Sequence, residues 1–248
     1  MHEPNEIITL AWCDNGNVDG KFMQSILQCI YTGLGNGGVT IHNAARVAGN
    51  QIARQREQLL KLWYEEDKSD WLLWVDSDIV LTPEALKKIW FTADKNTHPI
   101  VTGVYFISKE NELPLMMPMP CIFRETGDNE VIQYIHPVPY DQVIEVDCAG
   151  MGLVLMHRSV IQKMREVFPE DALFGEKPSK DPSKFEGEDI AFFRRAKKAG
   201  FKIHTHTGAL VEHVKRFSFD VNFYNLYWKE KYFQEQANIQ EQPVQQDK

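Results

Sequence analysis

The 248-residue sequence lacks an apolar run approaching the roughly 20 residues that a transmembrane helix needs. It also lacks a basic N-terminal region followed by a long apolar segment, so we expect no secretion signal. Positive charge is scarce: 27 Lys and Arg residues face 35 Asp and Glu residues, a formal net charge of −8. General nucleic-acid binding requires a basic face. We therefore expect neither a transmembrane segment nor a nucleic-acid partner.

Cysteine is also sparse. The four residues lie far apart in the chain, with no paired spacing: Cys13, Cys29, Cys121 and Cys148. Scattered cysteines of this kind are typical of reduced, mostly buried thiols. We therefore expect a cytoplasmic protein.

The most informative feature that is present is an apolar run ending in two acids. Five apolar residues at 71–75 lead directly into Asp76 and Asp78. Such a run is typical of a strand buried on both faces, and ligands bind at the carboxyl ends of such strands. Two carboxylates there repel each other, and a hard divalent cation removes that cost. The alternative is an acidic turn between a strand and a helix.

Apolar spacing alternates between strand and helix patterns over the first hundred residues. The order β-α-β-α-β-α-β predicts an α/β fold with a mainly parallel sheet and right-handed crossovers. The later sequence predicts a hairpin around 122–135 and a small antiparallel extension. In the first part, we expect strands at 7–13, 39–41, 71–75 and 100–106, and helices near 22–30, 48–63 and 83–93.

A second acidic pair, Glu188 and Asp189, stands at a predicted helix start. Acids in a first helical turn complement the helix dipole, which is the plainer explanation. The functional alternative is that one carboxylate projects into a cleft as a general base or contacts a sugar. His213 comes later, near a strand end, and either packs there or completes a metal site begun by carboxylates.

The order of these motifs resembles the glycosyltransferases of the GT-A fold, especially the compact ones of bacteria and phages. The motifs are Asp-x-Asp after a buried strand, a glycine-bearing strand region, Gly-Glu-Asp-x-x-Phe-x-x-Arg at 187–195, and the late His213. The resemblance covers about residues 7–214. It implies a Rossmann-like central sheet and a hexosyltransferase-type activity that uses a nucleoside-diphosphate sugar, with a UDP-sugar favoured.

The resemblance also implies a role for each motif residue. Asp78 would bind Mn²⁺ or Mg²⁺, His213 would be a further metal ligand, and Asp76 would bind the metal or the donor ribose. Asp189 would be the base that deprotonates an acceptor hydroxyl in an inverting reaction. Glu188 would hold the acceptor or the donor sugar.

Three further residues are donor-site candidates by resemblance. Arg54 matches the arginine of an Ala-Arg-Asn element and would contact the nucleotide or its phosphates, although Gln55 stands where relatives have Asn. Gly150 and Gly152 would let the backbone approach the donor sugar. The alternatives are an exposed helical arginine for Arg54 and an ordinary turn for the two glycines.

The expected organisation is one catalytic domain over residues 1–233 followed by a polar, disordered tail at 234–248. The nucleotide-binding half would cover about 1–107 and the acceptor and catalytic half about 108–233. Loops at 108–120 and 169–187 are long enough to act as binding loops or lids. The sequence leaves open the acceptor, whether small or a glycan, the donor sugar and its base, and the oligomeric state. It also does not decide between inversion and retention, because both occur on this fold.

Two rival functions are compatible with parts of the sequence. The residues 76–80 also fit the signature of haloacid-dehalogenase-type phosphatases, in which Asp76 would be a nucleophile. That motif normally lies on the first strand, whereas about seventy residues precede it here. The second rival is a non-catalytic module that binds nucleotide sugars. The pair Glu188–Asp189 argues against it, because binding alone needs no base.

Overall fold

The computed structural model divides the chain into two compact units, Met1–Val214 and Lys215–Lys248. The expected catalytic domain over residues 1–233, followed by a tail at 234–248, remains a prediction. The two expected functional halves remain predictions. The residues described are 6–35, 37–107, 118–126, 132–170, 172–178, 185–215, 221, 224–225, 228–229 and 231–234.

The first part of the chain alternates strands and helices as the sequence predicts. Two-residue β4 is an addition to the expected order. The elements are β1 (Ile8–Asp14), α1 (Gly20–Gly33), β2 (Asn43–Ala48), α2 (Ile52–Glu65), β3 (Trp71–Val75), β4 (Ile79–Val80), α3 (Pro83–Thr92) and β5 (Ile100–Val104).

The second strand does not lie at 39–41, where the sequence predicted it. Asn43–Ala48 forms that strand instead and pairs in parallel with β1, from Thr9 opposite Asn43 to Asp14 opposite Ala48. The strand is at the edge of the sheet and mostly exposed, so it carries no apolar run. Val39 is apolar because it packs into the core just before the strand begins.

The rest of the first unit contains the predicted hairpin, formed by β8 and β9, and its turn at 127–131 lies outside the described residues. The elements are β6 (Phe106–Ile107), β7 (Met119–Pro120), β8 (Ile122–Glu125), β9 (Ile132–Tyr134), β10 (Val143–Val146), β11 (Cys148–Ala149), β12 (Leu153–His157), α4 (Arg158–Val167), β13 (Lys177–Pro178), β14 (Phe185–Glu186), α5 (Glu188–Lys198), β15 (Ile203–Leu210) and β16 (Glu212–His213).

A seven-stranded sheet has the order β10-β15-β5-β12-β3-β1-β2. Five of its strands run in one direction, while β12 and β10 run in the opposite one. A separate sheet of β11, β8 and β9 forms the antiparallel extension. The mainly parallel α/β architecture with a small extension is therefore confirmed.

Strand β3 is buried along its whole length, which explains its unbroken apolar sequence. Alternate side chains of a strand point to opposite faces of the sheet. The ring of Trp71 meets Trp90 of α3 at 5.9 Å, and the ring of Trp74 meets Phe174 at 5.8 Å. Phe174 in turn stacks on Phe192 of α5. Both faces are therefore covered, and the acids after β3 lie at the end of a rigid strand.

Among the residues that the structure describes, no helix combines the length and the apolar content that a bilayer-spanning segment needs.

Candidate active site

Asp76 and Asp78 lie in a tight turn directly after β3, as the sequence predicts. The backbone amide of Asp76 donates to the carbonyl of Gly152 at 3.2 Å, and the amide of Ile79 donates to the carbonyl of Asp76 at 2.9 Å. These bonds tie the turn to the region around β12 and to the start of β4. The two carboxylates are thus held at the carboxyl end of β3.

Asp78 and His213 are brought together by a short antiparallel ladder between β4 and β16. His213 pairs with Ile79, and the amide of Val214 donates to the carbonyl of Asp78 at 2.8 Å. The Nε2 atom of His213 then lies 3.2 Å from Oδ2 of Asp78. The sequence predicted both residues as metal ligands although they stand far apart in the chain, and the structure brings them into contact.

The hydrogen bond of Nδ1 of His213 determines whether Nε2 of the neutral ring donates or accepts. Nδ1 lies 3.0 Å from the backbone carbonyl of Phe106, which only accepts hydrogen bonds, so Nδ1 carries a proton. In the neutral imidazole Nε2 then presents a lone pair towards Asp78. A lone pair and a carboxylate at this distance repel unless a proton or a cation lies between them. The pair therefore fits a cation.

Asp78 and His213 together offer two side-chain ligands to a metal ion. Among the described residues, no group of three or more His, Cys, Asp and Glu side chains is arranged to hold a metal ion. Mg²⁺ keeps several waters and is commonly bound by one or two carboxylates together with substrate phosphates. The carboxylate of Asp78 fits such a metal, and the imidazole of His213 is a ligand that transition metals accept.

Arg56 of α2 is the central residue that the sequence analysis missed. Its Nη2 donates to Oδ1 and Oδ2 of Asp76 at 2.9 and 3.1 Å, and its Nη1 donates to Oε1 of Glu188 at 2.5 Å. The residue is only 4% exposed. Burial by itself would lower the pKa of Arg56, but the carboxylates of Asp76 and Glu188 outweigh it and raise that pKa. Arg56 therefore joins the two acidic motifs as a permanent buried cation.

Arg54, which the sequence analysis selected, lies on the exposed side of α2. A signal for Arg56 does exist in the sequence. Arg56 shares the helical spacing of Leu59, Leu60 and Trp63, all of which are buried. An arginine within an apolar helical stripe indicates a buried, paired cation, because arginine is almost never fully buried alone.

Glu188 and Asp189 begin α5, after Gly187 at the cap position. Asp189 is partly exposed, and its Oδ1 accepts a hydrogen bond from the amide of Ile190 at 2.7 Å. Burial, followed by the charge of Glu188, raises the pKa of Asp189 to about 6, and Arg56 offsets only part of this. A carboxyl that only complemented a helix dipole would have a lowered pKa. A carboxyl with a pKa near 6 suits proton transfer near neutral pH.

Gly150 and Gly152 are required by the packing of a tyrosine. A Cβ on Gly150 would lie 1.9 Å from Oη of Tyr105, and a Cβ on Gly152 would lie 2.7 Å from its ring. Burial raises the pKa of Tyr105 well above its ordinary value, so the phenol stays neutral. The same ring lies 5.1 Å from the imidazole of His213, edge to face. Tyr105 therefore supports both the glycine turn and the histidine.

The carboxyl end of β1 holds a buried acid, Asp14, where the sequence analysis singled out no residue. Asp14 accepts hydrogen bonds from Nε and Nη2 of Arg46 at 2.5 and 2.7 Å and from Nε1 of Trp12 at 3.1 Å. The hydrogen bond from Arg46 lowers the pKa of Asp14. Gln55 donates to the carbonyls of Asp14 and Val47, so this departure from the relatives' Asn fastens α2 to β1 and β2.

The outer face of α5 is held by an ion network. Arg194 pairs with Glu125 and Glu186, and Lys197 pairs with Glu125 and Asp147. These contacts fix the helix that begins with Glu188 and Asp189. Of the two loops expected to act as lids, residues 108–117, 171 and 179–184 lie outside the described residues. In the described part of the second loop, β13 pairs with β14. The role of both loops as lids remains a prediction.

The sequence profile described as "Glycosyltransferase like family 2" matches residues 6–226. The chain belongs to this family of glycosyltransferases. The match includes the Asp-x-Asp motif, the acidic pair of α5 and His213. No curated protein sequence matches this family 2 chain at a significant level.

Two of the solved structures that share the fold of this family 2 chain are A197 from STIV and GalNAc-T7. A197 from STIV is 18% identical, with 85% of this chain and 87% of that protein covered and a TM-score of 0.53. GalNAc-T7, in a structure with UDP, GalNAc and Mn²⁺, is 12% identical, with 88% of this chain and 45% of that protein covered and a TM-score of 0.53. The expected GT-A fold is thereby confirmed.

Replacing Arg56 should destabilise the protein far more than replacing Arg54. Arg56→Met leaves the carboxylates of Asp76 and Glu188 without their buried cation, and breaking a buried pair in this way costs about 3–5 kcal/mol. Arg54→Met removes an exposed charge from the same helix and should change stability by less than about 0.5 kcal/mol. Urea unfolding of both variants measures the difference. Equal stability of the two would contradict the central role of Arg56.

The raised pKa of Asp189 makes a pH-dependent prediction. The folded protein holds the proton more tightly than the unfolded chain does, so stability is lost as the pH rises from about 4 through about 6. Asp189→Asn removes the charge and keeps the oxygen that accepts from Ile190. The variant should be roughly 1–3 kcal/mol more stable than the parent protein at pH 7.5 and should approach it at pH 4. Urea unfolding at both pH values measures this, and an unchanged difference would refute the raised pKa.

Proposed function

We propose that this chain is a metal-dependent glycosyltransferase that moves a sugar from a nucleoside-diphosphate sugar to an acceptor hydroxyl. The observation that carries the proposal is the bridge formed by Arg56. It joins Asp76, after β3, to Glu188, at the start of α5. The acidic pair of α5 therefore lies beside the Asp-x-Asp motif, where a donor and a base must meet.

The proposed metal ligands are Asp78 and His213. Their side chains are already 3.2 Å apart, and the carbonyl of Phe106 orients the imidazole. These two residues would hold Mn²⁺ or Mg²⁺, whose charge would neutralise the negative charge that develops on the leaving diphosphate. Asp76 is better suited to the donor ribose than to the metal, because Arg56 already supplies a positive charge to both of its oxygens.

The proposed base is Asp189. Its carboxyl, with a pKa of about 6, is mostly ionised at neutral pH and accepts a proton from the acceptor hydroxyl at modest cost. Glu188, held by Arg56, is then placed to accept hydrogen bonds from a sugar hydroxyl. A base that removes the acceptor proton corresponds to an inverting reaction.

UDP is the favoured nucleotide of the donor, and a hexose is the favoured sugar. GalNAc-T7, which shares the fold, was solved with UDP, GalNAc and Mn²⁺. Contacts of Arg54 with the donor phosphates, and of Gly150 and Gly152 with the donor sugar, remain part of the proposal. All four cysteines are free and buried, which fits a reducing compartment such as the cytoplasm.

The rival functions predict different chemistry at the same residues. Family membership and the position of the motif on the third strand favour the transferase over the phosphatase. A covalent acyl-phosphate on Asp76 would favour the phosphatase. A nucleoside diphosphate that binds without turnover of any donor would favour a binding module.

Nucleoside diphosphate binding should depend on Mn²⁺ or Mg²⁺. Asp78→Ala should abolish the metal-dependent part of the affinity, because it removes the carboxylate of the two proposed ligands. His213→Ala should weaken the metal-dependent part of the affinity, because the carboxylate remains. Glu212→Ala is the matched control, since it changes an exposed acid in the same short strand. Calorimetry with UDP, GDP, CDP and dTDP, in Mn²⁺ and in EDTA, measures the effect. The metal site would be refuted if each nucleotide bound with the same affinity in EDTA as in Mn²⁺.

Asp189→Asn should separate binding from chemistry. Loss of a general base typically lowers a rate by about 10²–10⁴-fold, while nucleotide affinity should change little. In the parent enzyme, the rate should fall as the pH drops below about 6, because Asp189 becomes protonated. Donor hydrolysis and transfer across pH 5–8 measure both effects. Near-normal turnover by the variant would return Asp189 to a helix-capping role.

A further inference from the structure

The second unit carries an unusual concentration of aromatic residues. In the sequence, eight of them fall between positions 217 and 233. Within that segment, the described residues 221, 224–225, 228–229 and 231–234 have α-helical backbone. None of these residues takes part in the proposed transfer reaction, so the segment needs a separate explanation.

Four of the described residues, all with α-helical backbone, recur at short intervals in this segment. Val221, Tyr224, Trp228 and Tyr232 are separated by three or four positions, the spacing that puts side chains on one side of a helix. The rings of Tyr224 and Trp228 lie 6.0 Å apart, as neighbours one turn apart should. We call these four residues the aromatic stripe.

The aromatic stripe is exposed. The exposed fraction ranges from 45% for Trp228 to 67% for Val221. Single exposed apolar residues are ordinary, but a contiguous apolar surface marks a site of interaction with a protein or a membrane. The stripe is therefore a candidate binding surface.

Two lysines border the aromatic stripe. Lys229 and Lys231 both lie within three positions of Trp228 in the sequence. The Nζ atom of Lys231 lies 5.0 Å from the ring of Trp228, so its stem runs along the apolar surface. Although the whole chain has a net charge of −8, basic residues outnumber acidic ones four to two between 215 and 233. The surface is thus aromatic in the middle and cationic at its edges.

This combination selects one kind of partner. Tyrosine and tryptophan are enriched at the membrane–water interface, where the ring is buried and its polar atom stays in water. Lysines beside them are attracted by anionic lipid headgroups. Lysine is depleted in protein–protein interfaces, and a second copy would bring like charges together. We propose that the aromatic stripe, with Lys229 and Lys231, binds the surface of an anionic lipid bilayer.

Flotation of the full chain with lipid vesicles tests the proposal. Vesicles of phosphatidylcholine and phosphatidylglycerol at 3:1 should carry the protein upward, and pure phosphatidylcholine should carry much less. Tyr224→Ser with Trp228→Ser should reduce the bound fraction at least about tenfold, since it removes the two central rings. Lys229→Gln with Lys231→Gln should reduce binding to anionic vesicles by about fivefold per lysine and binding to neutral vesicles little.

Matched variants on the first unit serve as controls. Phe91→Ser with Tyr140→Ser removes two aromatic side chains that are at least as exposed, and Lys61→Gln with Lys163→Gln removes two exposed lysines. Both should float like the parent protein. Thermal unfolding verifies that every variant is folded.

Three outcomes would overturn the proposal. The parent protein remains with the soluble fraction beside anionic vesicles, or the stripe variant floats as the parent does. Alternatively, light scattering finds a dimer of the parent protein that the stripe variant cannot form, while neither protein floats. That last result would assign the stripe to a second copy of the chain.

Discussion

The candidate site depends on one buried cation. Without Arg56, the carboxylates of Asp76 and Glu188 would face each other across a part of the protein that water enters poorly, and repulsion would separate the end of β3 from the start of α5. With Arg56 in place, both carboxylates pair with one guanidinium. A guanidinium suits this position because its planar fork donates to two carboxylates at once.

The same cation also limits the rise in the pKa of Asp189. Burial and Glu188 raise its pKa, and Arg56 prevents a larger rise, so the carboxyl titrates at about 6. Two adjacent acids of one helix thus differ in their partners: Glu188 forms an ion pair with Arg56, and Asp189 accepts a hydrogen bond from the amide of Ile190. Environments that separate the properties of neighbouring carboxyl groups are the general means by which a site distinguishes a base from a binding group.

The sequence was sufficient for features that rest on local patterns. The buried run 71–75, the alternation of elements and the Asp-x-Asp turn follow from apolar periodicity, and the structure confirms them. Edge strand β2 was misplaced because its residues form a strand by pairing with β1, although their own composition does not favour one. Arg56 was missed because its partners lie 20 and 132 residues away along the chain. No window of sequence contains such a network.

Tyr105 shows why the glycines were equally ambiguous. From sequence, Gly150 and Gly152 suggest either a ligand contact or a turn, and neither suggestion includes the ring that occupies the space of both Cβ atoms. That ring also packs against His213, whose imidazole faces Asp78. Packing around one tyrosine therefore links the glycine turn to the orientation of a proposed metal ligand. The two glycines and His213, selected separately as donor and metal contacts, pack against the same tyrosine ring. We therefore expect a side chain at either glycine to displace the imidazole as well.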